Sequence, residues 1–174
     1  MFVKVLEAPT EDDWLKVKQR ALVTVGKDAN TPPTKAWKHA ILKARHSPIR
    51  KLWFSFYIEC PYWVSVHLCR HVHAQPYVQS QRNDRQSRYD RDKAQQNTEV
   101  KMILDVNAEE LMVIANKRLC AKAAPETRNL VEMICAMTVN RCPEFADFLV
   151  PMCVYHGNVC HEMYPCGRCD DTHA

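Results

Sequence analysis

Glycine is scarce in this chain: only three glycines occur among 174 residues. A glycine-rich phosphate-binding loop or a dinucleotide-binding fingerprint needs several closely spaced glycines, so both are excluded. Any bound nucleotide must instead be held by side chains and helix ends. Long hydrophobic runs are also lacking, and residues 1–7 do not have the pattern of a signal peptide. We therefore expect a cytoplasmic protein that makes no membrane contact.

Acidic residues are absent from residues 70–82, which hold two histidines, two arginines, two hydroxyls and three glutamines. Guanidinium groups match phosphate oxygens through paired hydrogen bonds. The stretch therefore indicates either a binding site for a phosphorylated ligand or a solvated basic loop. A largely apolar segment, residues 52–69, leads directly into it. We expect this segment to anchor the start of the stretch to the core.

The overall composition is that of one globular domain, with 47% hydrophobic and 25% charged residues. The formal net charge of +4 suits an anionic small molecule as well as a nucleic acid, and it selects neither. Nine cysteines in a cytoplasmic chain are expected to be reduced, so they indicate core thiols or metal ligands before disulfides.

Hydrophobic periodicity predicts both strands and helices. Alternating residues predict strands at 1–8, 52–59 and 99–106. Helical spacing predicts helices at 12–25, 35–44 and 62–69, and further helices that begin near Asn107 and Pro125. Because strands and helices intermix without regular alternation, we predict an α+β or mixed α/β fold.

Two details of the later helices are also predicted. Asn107 and Glu110 have the spacing of a capping box, with Asn in place of Ser or Thr. In the helix that begins near Pro125, four apolar residues are expected on the buried side: Leu130, Met133, Ile134 and Met137.

The last residues, 151–174, differ in character from residues 1–150 and are predicted to form a separate Cys/His-rich tail. Four cysteines occur close together there, at Cys153, Cys160, Cys166 and Cys169, and bends formed by Pro and Gly surround them. A tetrahedral zinc site with four thiolate ligands fits this pattern, although only the last two cysteines have the tight spacing of a zinc knuckle. Reduced thiols without a metal fit it as well.

Several motifs occur together at fixed spacing between residues 47 and 148. Residues 70–72 read Arg-His-Val, and Ser-Gln-Arg follows seven residues later. Ser-Pro at residues 47–48 and an aromatic strand precede them, and Ala-Ala-Pro-Glu-Thr-Arg at residues 123–128 follows. In these motifs the chain resembles the flavin-dependent thymidylate synthases, and it would be a short, divergent member of that family.

The resemblance implies a small sheet with antiparallel strands flanked by helices. It also implies reductive methylation of dUMP to dTMP, with methylenetetrahydrofolate as carbon donor, FAD as cofactor and NADPH as reductant. The implied active protein is a homotetramer with shared sites. The residues implied to bind dUMP are His67, Arg70, Ser80, Gln81, Arg82, Lys101 and Arg128. Those implied to bind FAD are Ser47, Arg70, His71 and Arg118.

Catalytic roles are implied for Arg128 and Ser80. A guanidinium that faces the uracil ring would stabilise the negative charge that develops on it. Ser80 would act together with Arg82 and the Gln81 backbone, which are implied to hold the phosphate.

The chain also departs from the family, because Val72 stands where the family has an arginine and Val78 where it has an acid. These departures keep two alternatives open. One is a related pyrimidine-nucleotide one-carbon transferase with altered flavin use. The other is a non-enzymatic nucleic-acid-binding protein with a zinc tail and a basic arm. That arm has Tyr89 as its only aromatic residue for base stacking, which makes nucleic-acid binding the weaker alternative. Four basic residues of the arm are predicted to be solvated, namely Arg85, Arg88, Arg91 and Lys93.

Overall fold

The computed structural model of the protein describes residues 1–86 and 89–171. Arg88, which was predicted to be solvated, and residues 172–174 of the predicted tail lie outside the described residues.

A four-stranded sheet forms the centre of the fold. Its strands are β1 (Phe2–Glu7), β2 (Trp53–Pro61), β3 (Gln75–Val78) and β4 (Glu99–Asn107), in the spatial order β1-β2-β4-β3. All neighbouring strands run antiparallel, and β2 pairs with β4 along nine residues of each strand. The predicted mixed α/β fold with antiparallel strands is therefore confirmed. β3 was not predicted, and it lies within the basic stretch at residues 70–82.

One face of the sheet is buried in the hydrophobic core. The alternating side chains of the two central strands that point there are all 2% exposed or less: Phe54, Phe56, Ile58, Met102, Leu104 and Val106. Burial of one such side chain contributes about 1.5 to 3 kcal/mol. The alternation predicted for residues 52–59 and 99–106 is thus confirmed, and it fixes the register of the strands that lead into the site.

Six helices flank the sheet within the described residues. They are α1 (Glu11–Val23), α2 (Lys35–Lys43), α3 (Tyr62–Cys69), α4 (Ala108–Arg118), α5 (Pro125–Arg141) and α6 (Met152–Tyr155). Short 3-10 helices occur at Ser47–Lys51 and Pro143–Phe145, and β5 (Val159–Cys160) pairs with β6 (Asp170–Asp171) in the tail. No helix in the described ranges is long and apolar enough to cross a membrane.

The buried side of α5 differs from the prediction. Leu130 and Ile134 are buried as predicted, but Met133 and Met137 are 36% and 38% exposed. The buried stripe runs instead through further residues at helical spacing, which are Thr127, Val131, Cys135 and Thr138. Threonine can lie in this stripe because its hydroxyl is satisfied locally: Oγ1 of Thr138 donates to the Ile134 carbonyl at 2.8 Å.

Candidate functional site

His71 lies in the turn after α3, with its side chain 9% exposed. Its Nδ1 is 3.1 Å from Oε1 of Glu110, and Nε of Arg118 donates to its Nε2 at 3.1 Å. Because a guanidinium can only donate, Nε2 must be the acceptor, and Nδ1 carries the proton that it donates to Glu110. These two hydrogen bonds therefore select one tautomer of a neutral imidazole.

The electrostatic surroundings also favour a neutral His71. Burial, and after it the adjacent Arg118 guanidinium, lower the pKa of His71 to about 4. The Glu110 carboxylate acts in the opposite direction. Protonation of Nε2, however, would break the bond with Arg118 and bring two cations together, so the neutral form prevails. Burial also raises the pKa of Glu110.

Arg118 connects His71 with two other helices. Its Nη2 donates to the His67 carbonyl at 3.0 Å, and Nδ1 of His67 is 2.7 Å from Oγ1 of the buried Thr127 on α5. Burial lowers the pKa of Arg118, and the nearby Arg70 guanidinium contributes. We call His67, His71, Glu110, Arg118 and Thr127 the histidine–arginine cluster.

The start of α4 places Glu110 in this cluster. Oδ1 of Asn107 accepts a hydrogen bond from the Glu110 backbone N–H at 3.0 Å, so Asn107 is the predicted N-cap. The Glu110 side chain does not complete the predicted capping box, because its carboxylate contacts His71 instead. Only half of the capping box therefore forms.

The segment that contains Ser80 and Arg82 follows β3 and is attached to β4. The Gln79 N–H donates to the Lys101 carbonyl at 2.8 Å, and the Lys101 N–H donates to Oε1 of Gln79 at 3.0 Å. Oγ of Ser80 accepts from the Arg82 N–H at 3.3 Å. Nε and Nη2 of Arg82 contact the two carboxylate oxygens of Asp84 at 2.9 and 2.6 Å. The Arg82 side chain is 62% exposed, so a ligand could reach its fork in competition with Asp84.

The other predicted site residues occupy different positions. Arg128 lies in the first turn of α5, 30% exposed, with its Nε 3.8 Å from Oε1 of Glu132. Arg70 is an exposed residue at the end of α3, and Ser47 is an exposed residue at the start of a 3-10 helix. Gln81 is half-buried and Lys101 is exposed. The structure thus brings together His67, His71 and Arg118, while Arg82 and Arg128 contact acidic residues on their own segments.

Two members of the cluster were missed by the sequence analysis. Glu110 was interpreted as a helix-capping residue, and no sequence signal pairs it with His71, which lies 39 residues earlier. Thr127 lies inside the motif at residues 123–128, but nothing in the sequence indicates that its hydroxyl contacts His67.

The tail brings some of its cysteines together. The Cys169 thiol is hydrogen-bonded with Cys153, which raises the pKa of Cys169 to about 11. Cys153, Cys160 and Cys166 line one cavity of about 230 Å³. Within the described part of the chain, no group of three or more His, Cys, Asp or Glu side chains is arranged to hold a metal ion. The predicted zinc site stays a prediction.

The fold is similar to that of a solved enzyme structure. That structure is the UMP/dUMP methylase PolB from Streptomyces cacaoi, crystallised with 5-Br dUMP. The TM-score is 0.66 at 15% sequence identity, and the match covers 86% of this chain and 96% of the methylase chain. Comparison with protein-family models and with curated proteins gives no match. The histidine–arginine cluster and the exposed Arg82 therefore belong to a chain whose fold a UMP/dUMP methylase also adopts.

Proposed function

We propose that this protein is an enzyme that methylates the pyrimidine ring of dUMP. The observation that carries the proposal is the fold shared with a UMP/dUMP methylase over 96% of that enzyme's chain. The basic stretch at residues 70–82 adds support, because its arginines are of the residue type that binds a nucleotide phosphate.

In this proposal Arg82 binds the phosphate of dUMP. Its fork contacts the single negative charge of Asp84, and a phosphate dianion would compete for it with the greater charge. Ser80 and the Gln81 backbone would supply further donors, and His67, Arg70 and Lys101 would complete the binding of the nucleotide. With the phosphate bound there, a second segment of the chain would contact the uracil ring.

Arg128 is proposed to face that ring. Its contact with Glu132 at 3.8 Å is long for a hydrogen bond, so the guanidinium keeps donors for a ligand. A positive charge held beside the ring oxygens would stabilise the charge that develops as carbon five attacks the one-carbon donor. Thr127 ties the start of α5 to His67, and it thereby fixes the position of Arg128 relative to α3.

The finer proposal is flavin-dependent thymidylate synthesis. FAD, when bound, supplies the hydride that completes the methyl group, with methylenetetrahydrofolate as carbon donor and NADPH as reductant. The residues present fit a diphosphate group, because the Arg70 guanidinium lies close enough to Arg118 to lower the pKa of Arg118. Arg70, Arg118 and Ser47 would contact the cofactor, and His71 would contribute by positioning Arg118.

Within this site His71 and Glu110 are positioning residues. The neutral imidazole accepts from Nε of Arg118, so the plane of the guanidinium is fixed before a ligand arrives. Glu110 in turn holds the imidazole in the tautomer that can accept. Such prior orientation reduces the entropy lost when a charged ligand binds.

A second candidate is a dUMP one-carbon transferase with a different use of flavin. Val72 favours it, because this side chain is 82% exposed and carries no charge where the flavin-dependent family has an arginine. The two candidates share the substrate and differ in the cofactor.

One assay tests the proposal. The purified protein is incubated with dUMP and methylenetetrahydrofolate, with and without FAD and NADPH, and the nucleotide is analysed by mass spectrometry. We expect a product with one added methyl group. A flavin absorbance band and dependence on FAD would support thymidylate synthesis, whereas a product formed without FAD would support the second candidate. A protein that does not bind dUMP in calorimetry would contradict both.

A further inference from the structure

Two cavities meet beside the histidine–arginine cluster. One, of about 290 Å³, is lined by His71 and Arg118, and the other, of about 230 Å³, lies between the end of α4 and the tail. They share four lining residues, which are Lys117, Cys120, Lys122 and Glu162. Ligand cavities commonly measure about 300 to 1,000 Å³, a range that these two reach only together.

The walls of the joined cavities differ in chemistry. Lys117 and Lys122 line both cavities and place positive charge where they meet, and Arg118 adds positive charge in the first cavity. Among the described residues Glu162 is the one acid that lines them, and its contact with Lys117 at 3.9 Å is a weak surface pair. Under the tail the lining combines thiol and apolar side chains, such as Cys120 and Met152, with His156, His161 and Arg168. This combination suits a ligand with an apolar ring and an anionic group.

The tail is firmly docked at this place. Nε of Arg45 donates to the Tyr155 hydroxyl at 3.1 Å, and its guanidinium lies 4.4 Å from the centre of the Tyr155 ring. Arg45 also donates to the fully buried Asn116 on α4, whose Nδ2 donates to the Val150 carbonyl at 2.7 Å. The start of the tail is therefore fixed to α4, and the cavity between them is a built feature.

We propose that the tail and the end of α4 form a binding site for an aromatic ligand that carries phosphate or carboxylate groups. The ring would lie against the thiols under the tail, and the anionic group would contact Lys117 and Lys122. The inference rests on the proposed function, since that reaction requires two ligands of this chemistry. They are the adenosine diphosphate part of FAD and the aryl-glutamate part of a reduced folate. The tail would then be part of the active enzyme.

Thiol protection tests the site in the full-length protein. The protein is treated with iodoacetamide without ligand, with FAD, with methylenetetrahydrofolate or with dUMP. Mass spectrometry then measures the extent of alkylation at Cys120, Cys153 and Cys166. We expect either FAD or methylenetetrahydrofolate, at saturation, to slow alkylation of Cys120 by about tenfold, because iodoacetamide can reach the thiol only when the ligand has dissociated. dUMP, whose proposed site is on other segments, should leave the rate unchanged. Equal alkylation with FAD, with the folate and without ligand would overturn the inference.

A charge reversal supplies the second arm. Lys122→Glu changes an exposed residue, and we expect it to weaken binding of the protecting ligand by about tenfold, which corresponds to about 1.4 kcal/mol. Lys93→Glu is the matched control, because this lysine is 87% exposed and lies outside both cavities. Unchanged affinity in Lys122→Glu would contradict the site. If the wild-type protein does not bind dUMP, that result would contradict the proposed function instead. The two failures can therefore be distinguished.

Discussion

His71 has a hydrogen-bond partner on each ring nitrogen, so its protonation has a predictable effect on stability. Its pKa falls from 6.5 to about 4 in the folded protein. The unfolded chain therefore takes up the proton first, and stability that is complete above pH 6.5 is lost as the pH falls toward 4. At pH 5 we expect the loss to be about 2 kcal/mol. Urea unfolding at pH 7 and pH 5 measures it.

The control for this prediction is His71→Asn. Glu110 acts with the opposite sign, because its raised pKa lets the folded protein take up a proton more readily as the pH falls. Only the difference between wild type and His71→Asn therefore isolates the histidine. Equal losses of stability in the two proteins between pH 7 and pH 5 would show that His71 is not held neutral.

Arg82 is exposed, and among the described residues it contacts only its own segment, so its replacement tests binding without disturbing the fold. We expect Arg82→Ala to leave the melting temperature unchanged and to weaken dUMP binding by about 10- to 150-fold, since hydrogen bonds to charged groups contribute about 1.5 to 3 kcal/mol. Isothermal titration calorimetry measures both the affinity and the enthalpy. Arg85→Ala is a matched control, because Arg85 is equally exposed and lies 4.0 Å from the same Asp84. A dUMP affinity that is the same in both variants would refute the role of Arg82.

A residue's position can be predicted from the sequence where a single property decides it. Phe54 and Leu104 are buried because alternation places them on one face, and Asn107 caps α4 because its side chain is short and polar. Glu110 was misinterpreted because the capping box and a distant histidine compete for the same carboxylate. Sequence spacing shows the first partner, whereas only the packing of α3 against the sheet shows the second.

At the level of elements, Tyr155 is the main attachment of α6. Its hydroxyl accepts from Arg45 and donates to the Lys43 carbonyl at 3.3 Å. We expect Tyr155→Phe, which keeps the ring, to lower the free energy of unfolding by about 1 kcal/mol. It should also speed proteolysis of the tail, because local opening becomes easier. Tyr164→Phe is the matched control, since Tyr164 is 75% exposed. Equal tail cleavage in both variants would contradict this attachment.

β3 shows where the prediction of elements failed. Its four residues include Pro76, which cannot donate a hydrogen bond, and Gln75, so the segment reads as a polar loop. The strand forms because Pro76 lies at the edge of the sheet, where a missing donor costs little. The burial predicted for Met133 and Met137 was wrong for another reason. Their hydrophobicity suggested burial, yet the stripe that packs includes two threonines whose hydroxyls have partners: Thr127 contacts His67, and Thr138 donates to the Ile134 carbonyl.

At the scale of the whole molecule, strand order could not be predicted. β1 and β2 are separated by two helices, yet they pair along most of β1. Such non-local pairing depends on which hydrophobic faces pack against each other during folding. The periodicity within one segment does not indicate which strand will be its partner. The sheet's other face also became visible only in the structure.

That outer face of the sheet bears on the homotetramer that the family resemblance implies. Tyr57 and Tyr77 lie opposite Ile103 on the two neighbouring strands, so these side chains share one face. The centres of the Phe2 and Tyr57 rings are 6.3 Å apart. Phe2, Tyr77 and Ile103 are 48%, 59% and 37% exposed. A row of exposed apolar side chains is typical of an interaction surface, and we propose a second copy of the chain as its partner.

Ile103→Lys tests this surface by placing a charge at the centre of the row. A lysine buried between two chains would lose its hydration without gaining a partner, so the tetramer should dissociate. Sedimentation equilibrium should show a tetramer for the wild type and a smaller species for Ile103→Lys. Val25→Lys is the matched control, because Val25 is 64% exposed outside the sheet and should leave the assembly intact. If the wild type sediments as a monomer at every concentration, the site must be complete within one chain, and Arg82 and Arg128 would have to bind dUMP without help from a second subunit.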